Sequence, residues 1–158
     1  MIFLALGTNL GNKIDNLKKA KILLQKHKIN IIKHSAVYLT EPFGQDGQDW
    51  YLNQVLAVEA DYSPLGLLKV LKSIEQQMGR KKRKKWDARE IDLDILFYGS
   101  QIIKTKNLII PHQFLPERKC VLIPLAEIAA DFIHPKLKKT ISELLTICSD
   151  QLVVEKID

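Results

Sequence analysis

Asp92 and Asp94 stand two positions apart in the run Ile91-Asp92-Leu93-Asp94-Ile95-Leu96-Phe97. On a strand, residues two apart project from one face about 7 Å from each other, so both carboxylates aim to one side while Ile91, Leu93, Ile95 and Phe97 aim to the other. Two carboxylates held that close favour a cation. Mg²⁺ suits them, because it accepts one or two carboxylates and keeps its other octahedral positions for water and substrate phosphates. Taken alone, such a pair is more often the solvated face of an amphipathic strand. The preceding segment changes that reading. Residues 80–85 are six consecutive basic residues, and Lys85-Trp86-Asp87-Ala88-Arg89 carries the charge on to a point three positions before Asp92. A polyphosphate bound between the two features would be neutralised from both sides. Mg²⁺ would bridge from the aspartates, Arg80, Arg83 and Arg89 would fork onto phosphate oxygens, and Lys82 and Lys85 would act as point charges.

Gly7-Thr8-Asn9-Leu10-Gly11-Asn12-Lys13 approaches a Walker phosphate loop without meeting it. It is one residue short between the glycines, Asn12 separates Gly11 from Lys13, and no Ser or Thr follows the lysine. A tight strand-to-helix turn is the simpler reading. Thr40-Glu41-Pro42-Phe43-Gly44 and Tyr51-Leu52-Asn53 flank one loop. Backbone groups around Pro42, the Asn53 amide and the Tyr51 ring could together read a flat heterocycle by edge and face, although Tyr-x-Asn alone is more often core plus turn. His112 follows Pro111 and is either a satisfied structural histidine or a donor to phosphate.

The elements that must position these groups follow from periodicity. Residues 2–6 read as a buried strand ended by Gly7. Ile14, Leu17 and Leu24 mark one stripe of a helix capped by Asn9 or Asn12. Residues 29–38 and 52–60 read as strands around a loop at 40–49. Ser63 and Pro64 open a second helix whose stripe Leu67, Leu68, Leu71, Ile74 and Met78 stops at Gly79. The strand bearing the aspartates follows. The order βαββαβ predicts an α+β, ferredoxin-like core with an antiparallel sheet and both helices on one face. An irregular C-terminal extension comes after it, with a short apolar 121–123 and helical segments near 125–130 and 141–147.

The chain has 158 residues, 46% apolar and 27% charged, which suits one globular domain over residues 1–158 and excludes general disorder. Without residues 80–85 the 24 basic residues fall to 18 and match the 18 acidic ones, so the net charge of +6 is local rather than the broad face of a nucleic-acid binder. Cys120 and Cys148 are too few for a disulfide framework, residues 1–6 lack a basic leader, and no apolar run approaches a bilayer span of about 20 residues. These features predict a cytoplasmic protein without a membrane partner.

Taken in order, these motifs resemble one family, the 6-hydroxymethyl-7,8-dihydropterin pyrophosphokinases of folate biosynthesis. Besides those quoted, the resemblance rests on Ile74-Glu75 with Gly79-Arg80, Arg89-Glu90-Ile91-Asp92-Leu93-Asp94, Ile110-Pro111-His112, and Arg118 through Pro124-Leu125. It implies transfer of an intact pyrophosphoryl group from ATP to the pterin's hydroxymethyl oxygen, releasing AMP, with two Mg²⁺ ions on Asp92 and Asp94. The resemblance further implies that Arg80 and Arg89 serve the transferred group. It puts Glu75, Lys82, Arg83, Lys85, Trp86, His112 and Arg118 on the nucleotide side, and Thr40, Pro42, Phe43, Tyr51, Asn53 and the Cys120 position around the pterin. The expected partners are small molecules only, with no nucleic acid, and the chain is expected to act as a separate monomer.

The sequence departs from the family pattern in three places. The segment between Gly79 and Trp86 is one residue short, which leaves Lys82 and Arg83 as alternatives for a second arginine role. Asn107 and Ile109 stand where an Arg and a Thr are frequent. Cys120 stands where a Phe usually stacks on the pterin opposite Tyr51. Like charges along residues 80–89 repel, so that segment is expected to be mobile until ATP supplies the missing negative charge, closing Trp86 and Arg89 over the site. Hydrogen exchange across residues 80–89 is therefore expected to slow when a MgATP analogue binds, and unchanged exchange would refute this closure.

Overall fold

A strand whose side chains are buried on both faces belongs in the middle of a covered sheet, and β1 (Ile2–Thr8) is such a strand, with six of its seven residues buried. In the computed structural model, which describes residues 1–42, 47–80 and 88–157, β1 pairs antiparallel with β4 (Tyr51–Glu59) on one side and β5 (Asp92–Tyr98) on the other. β2 (Asn30–His34) and β3 (Val37–Thr40) both pair with β4. The order β5-β1-β4-β3 is the ferredoxin-like order expected from βαββαβ.

α1 (Lys13–Lys26) and α2 (Pro64–Gln77) cover one face through Leu17, Ala20, Leu24, Leu67, Leu71 and Ile74. Asn12 caps α1, accepting the Asp15 N–H at 3.1 Å, and Ser63 caps α2, accepting the Gly66 N–H at 3.0 Å. Ile14, expected on the packed stripe, is 42% exposed in the capped first turn, and Ala20 takes the inward place.

The strand expected over 29–38 is two. His34 faces Leu56 but Tyr38 faces Asn53, one residue out of step. Ser35 fills the break: its hydroxyl accepts the Val55 N–H at 3.0 Å, its N–H donates to the Val55 carbonyl at 2.9 Å, and its carbonyl takes Gln54 Nε2 at 2.8 Å. A second irregularity lies in β5, where Leu4 faces Ile95 and Phe3 faces Phe97, leaving Leu96 unpaired. This bulge turns Phe97 away from Ile95 and onto the opposite core. There it meets Phe3 edge-on at 6.1 Å and Phe132 at 4.7 Å between centroids.

That opposite core is built by the C-terminal extension, which is more regular than its sequence implies. After β6 (Ile103–Lys104), β7 (Ile109–Ile110) and a 3-10 turn (Leu115–Glu117), α3 (Lys119–Ala129) runs unbroken through the expected 121–123 and 125–130 pieces. Pro124 forfeits only the bond its N–H would give to the Cys120 carbonyl and is itself buried. α4 (Ile141–Ile147) is closed by a capping box between Thr140 and Glu143. β8 (Val154–Ile157) then adds a strand beside β3. Among the described residues no helix is long and apolar enough to cross a membrane.

Candidate active site

Three central strands bring the sequence motifs into one row. Gly7 of β1 faces Asp92 of β5 on one side and Asn53 of β4 on the other, while Asn53 faces Tyr38 and Thr40 faces Tyr51. With strands about 4.8 Å apart, the row from Asp92 to Asn53 spans about 10 Å. It lies opposite α1 and α2, because Leu6, Leu52 and Leu93 fill the core beneath those helices. Gly7 keeps the row open. A Cβ there would meet Asn53 Oδ1 at 2.9 Å and Tyr51 Cδ1 at 3.7 Å, so any side chain would displace the amide.

At the β5 end, Arg89 Nη1 donates to Asp92 Oδ2 at 2.8 Å, and Arg80 Nη1 lies 3.3 Å from Asp92 Oδ1. Arg80 also donates to Glu75 Oε1 at 2.6 Å. Burial works against the Arg80 charge, but Asp92 and Glu75 outweigh it and raise its pKa. Glu75 is only 2% exposed, and its Oε2 takes the Leu93 N–H at 2.7 Å, between the two aspartates. This carboxylate thus locks α2, Arg80 and the edge of β5 together.

Asp94 is pressed differently. Burial first, then the charges of Asp92 and Glu75, raise its pKa to about 7. Protein surrounds it, yet the side chain keeps 41% of its accessibility. It therefore faces the mouth of the cleft, where water screens part of the repulsion. His112 stands beside it, with Nε2 3.9 Å from Asp94 Oδ2. Burial and the Arg118 charge lower the His112 pKa, keeping the ring neutral near pH 7. His112 Nδ1 accepts the Phe114 N–H at 3.2 Å, which assigns the ring proton to Nε2.

Two carboxylates repelling each other at a solvent-facing cleft fit a divalent cation, which would relieve the repulsion. Among the described residues no cluster of three or more acidic, His or Cys ligands forms a closed cage. The donor set thus fits an ion that completes its shell with water and phosphate.

The raised Asp94 pKa has a measurable consequence in the metal-free protein. Between pH 4 and 7 the folded chain holds a proton that the unfolded chain has lost, so stability falls as pH rises through that window. Asp94→Asn removes this penalty. The variant is expected to be more stable than the parent at pH 8 by on the order of 1 kcal/mol, screening included, with the gap closing towards pH 4. Thermal midpoints across that range check this, and parallel curves would contradict it.

At the β4 end, Asn53 Nδ2 donates to Thr40 Oγ1 at 2.6 Å, fixing the amide. Burial raises the Tyr51 pKa, opposed by Arg89, so the phenol stays neutral. Cys120, in the first turn of α3, is close enough to Tyr51 to influence that ionisation. Burial pushes its own thiol up to about 11. Nearby in sequence, Phe114 carries the Arg118 guanidinium 4.8 Å from its ring centroid. Cys120→Phe is expected to tighten binding of a flat heterocycle against this wall by about 2- to 10-fold, the ~0.5–1.5 kcal/mol of an aromatic pair. Fluorescence titration reads it, and unchanged affinity would mean that face is already filled.

Phe43, Lys82, Arg83, Lys85 and Trp86 lie outside the described residues. Asn9 emerges as a further site residue. Its Oδ1 accepts the Arg89 N–H at 2.8 Å, its N–H donates to the Arg89 carbonyl at 3.1 Å, and its Nδ2 reaches Gln48 Oε1 at 3.0 Å. It ties the base of the basic segment to the loop before β4. Thr8 and Asn16 both hold the Glu90 carbonyl, at 2.6 and 3.0 Å. The Gly7–Gly11 turn is thus an anchor for Arg89. The Thr8-Asn9 pair after a strand is the available signal; spacing alone marks it as a turn and cap, and it also belongs to the motifs of the family resemblance.

Comparison with known proteins points to one family. The family model for 7,8-dihydro-6-hydroxymethylpterin-pyrophosphokinase matches residues 3–130. A 2-amino-4-hydroxy-6-hydroxymethyldihydropteridine pyrophosphokinase from Methylorubrum extorquens is 41% identical over 132 residues, 83% of this chain and 84% of that one. The Haemophilus influenzae protein of the same name is 36% identical over 154 residues, 97% of this chain and 96% of that one. Among solved structures, a wild-type Plasmodium falciparum HPPK-DHPS chain superposes with a TM-score of 0.74 at 20% identity, covering 92% of this chain and 43% of that longer one, a likeness of fold. The open row from Asp92 to Asn53, the arginines above it and the match over residues 3–130 have one common account: the chain belongs to the 7,8-dihydro-6-hydroxymethylpterin-pyrophosphokinase family.

Proposed function

We propose that this chain transfers the β,γ-pyrophosphoryl group of ATP to the hydroxymethyl oxygen of 6-hydroxymethyl-7,8-dihydropterin, releasing AMP, in folate biosynthesis. The observation that carries the reading is the row Asp92–Gly7–Asn53. A bicyclic pterin whose amide edge meets Asn53 and whose face lies on Tyr51 extends its substituent over Gly7 towards the aspartates, because the row is about 10 Å long. The hydroxymethyl oxygen attacks the β-phosphorus, the bond to the α,β-bridging oxygen breaks, and AMP leaves with that oxygen. The hydroxyl proton departs late, so no strong base is required.

Asp92 and Asp94 would hold Mg²⁺, two ions by the family resemblance, which would supply charge neutralisation across the phosphates. Arg80 and Arg89 both contact Asp92, which puts their guanidinium groups within reach of a phosphate beside it, with neutral His112 Nε2–H as a further donor. Arg118, together with Lys82 or Arg83, Lys85 and Trp86 of the basic segment, would serve the nucleotide. Thr40, Pro42, Phe43 and Cys120 complete the pterin pocket.

An RNA-recognition module shares the sheet order but presents an open sheet face. Here Leu122, Leu125 and Leu144 bury that face, which supports small molecules rather than nucleic acid as partners. We read a monomeric, single-domain, cytoplasmic enzyme, and the two free cysteines suit a reducing compartment. AMP release requiring ATP, Mg²⁺ and the hydroxymethyl-pterin together tests the assignment. Salt-dependent RNA binding without AMP formation would overturn it.

A further inference from the structure

The family match ends at residue 130, yet the segment beyond it touches both walls of the pterin pocket. Asp150 Oδ2 accepts the Lys119 N–H at 3.0 Å, the first amide of α3, while Asp150 Oδ1 accepts the Leu152 N–H at 2.9 Å. Three residues on, Val153 is gripped by Glu41. The Val153 N–H donates to Glu41 Oε1 at 2.5 Å, and the Glu41 N–H donates to the Val153 carbonyl at 3.1 Å. β8 then continues in register along β3, with Val154 facing Thr40. One short stretch therefore joins the residue beside Cys120 to the residue between Thr40 and Pro42.

These two attachment points matter because of what stands next to them. α3 has no side-chain cap of its own, since its flanking residue is Arg118, and Asp150 supplies from a distance the acceptor that a local Ser or Asp would give. At the other end, Thr40 carries the hydroxyl that orients Asn53. Neither Asp150 nor Glu41 belongs to the row of residues that meets the substrates. Loosening the stretch would let the Cys120 wall and the Thr40 wall separate while leaving Asp92 and Asp94 on β5, and Arg80 and Arg89 paired with Asp92, undisturbed.

We propose that Asp150 is a positioning residue for the pterin pocket, acting with Glu41 and Val153 as a clasp that sets the spacing between the α3 wall and the β3 wall. This inference rests on the assignment of Asn53, Thr40 and the Cys120 face to the pterin under the proposed function. The clasp bears on the pterin pocket at both its ends and reaches the nucleotide side only through Arg118, next to Lys119, which separates it from a general contribution to folding.

Steady-state kinetics on the full chain test it, with pterin and ATP varied in turn. Asp150→Ala is expected to raise the pterin KM about tenfold, while the ATP KM stays within about twofold. Asp150→Asn, which keeps an oxygen acceptor, is expected to restore most of the loss, and Glu41→Ala to raise the pterin KM severalfold. Equal rises in both KM values, no rise in either, or no rescue by Asn would overturn the clasp. If Asp150→Ala fails to fold, Glu41→Ala must still show the split, and its absence overturns the proposal. Asn53→Ala run in parallel distinguishes the two layers of inference. An unchanged pterin KM in that variant refutes the pocket assignment itself, whereas a raised one beside a silent Asp150→Ala refutes only the clasp.

Discussion

Asp94→Ala is expected to reduce AMP formation by about a thousandfold or more while leaving the protein folded and pterin-competent. The size follows from the chemistry. Charge neutralisation of the transferring phosphates contributes several kcal/mol, and each 1.36 kcal/mol is a factor of about ten in rate. The selectivity follows from the geometry. Asp94 sits on β5 with His112 as its near neighbour, whereas Asn53 and Tyr51, the residues proposed to hold the heterocycle, lie two strands away. Pterin affinity is therefore expected to change less than about threefold. Burst and steady-state AMP measurements, with a pterin titration beside them, check both halves. Rapid turnover by the variant would remove Asp94 from the chemistry, and loss of pterin affinity together with turnover would mean that the two ends of the row are not separate.

Glu75→Ala carries the largest expected effect on stability, about 2–3 kcal/mol. Arg80 keeps Asp92 but loses its closer acidic partner, and the buried Leu93 N–H loses its acceptor. Glu75→Gln keeps an oxygen for Leu93 but not the charge for Arg80, so it is expected to lose about half as much. Activity is expected to fall in both, because Arg80 and the backbone between the aspartates are freed together. Urea unfolding measures the ordering. A stability loss under 1 kcal/mol for the alanine variant would show that Glu75 is not the lock between α2 and β5.

Much of the site could be read from residue order because its chemistry lies on regular elements. The aspartate pair needs only a period of two, and Tyr51 and Asn53 repeat it on β4. The core order βαββαβ followed from the same periodicity. What escaped was set by backbone irregularity and by long-range bonds. The bulge at Leu96 turns Phe97 against its expected face, and no local signal marks it. Ser35 breaks a β-branched run by putting its hydroxyl into the ladder with Val55. β8 is a half-exposed Val-Glu-Lys-Ile edge whose reason for being a strand is β3, more than a hundred residues away in the chain. The Glu75 carboxylate could be recognised as a site residue only through the family resemblance. Its contact with Leu93 N–H joins a helix to a strand 18 positions later, which spacing does not reveal.

Crystals of the protein with Mn²⁺ and a non-hydrolysable ATP analogue give the most direct reading of the paired acids. The account predicts anomalous density between the carboxylates and the phosphate tail, with oxygens of both Asp92 and Asp94 at about 2.1 Å from metal and the arginine pairs on Asp92 rearranged. Density bound by phosphates alone, with Arg80 and Arg89 still seated on Asp92 and Asp94 empty, would contradict it.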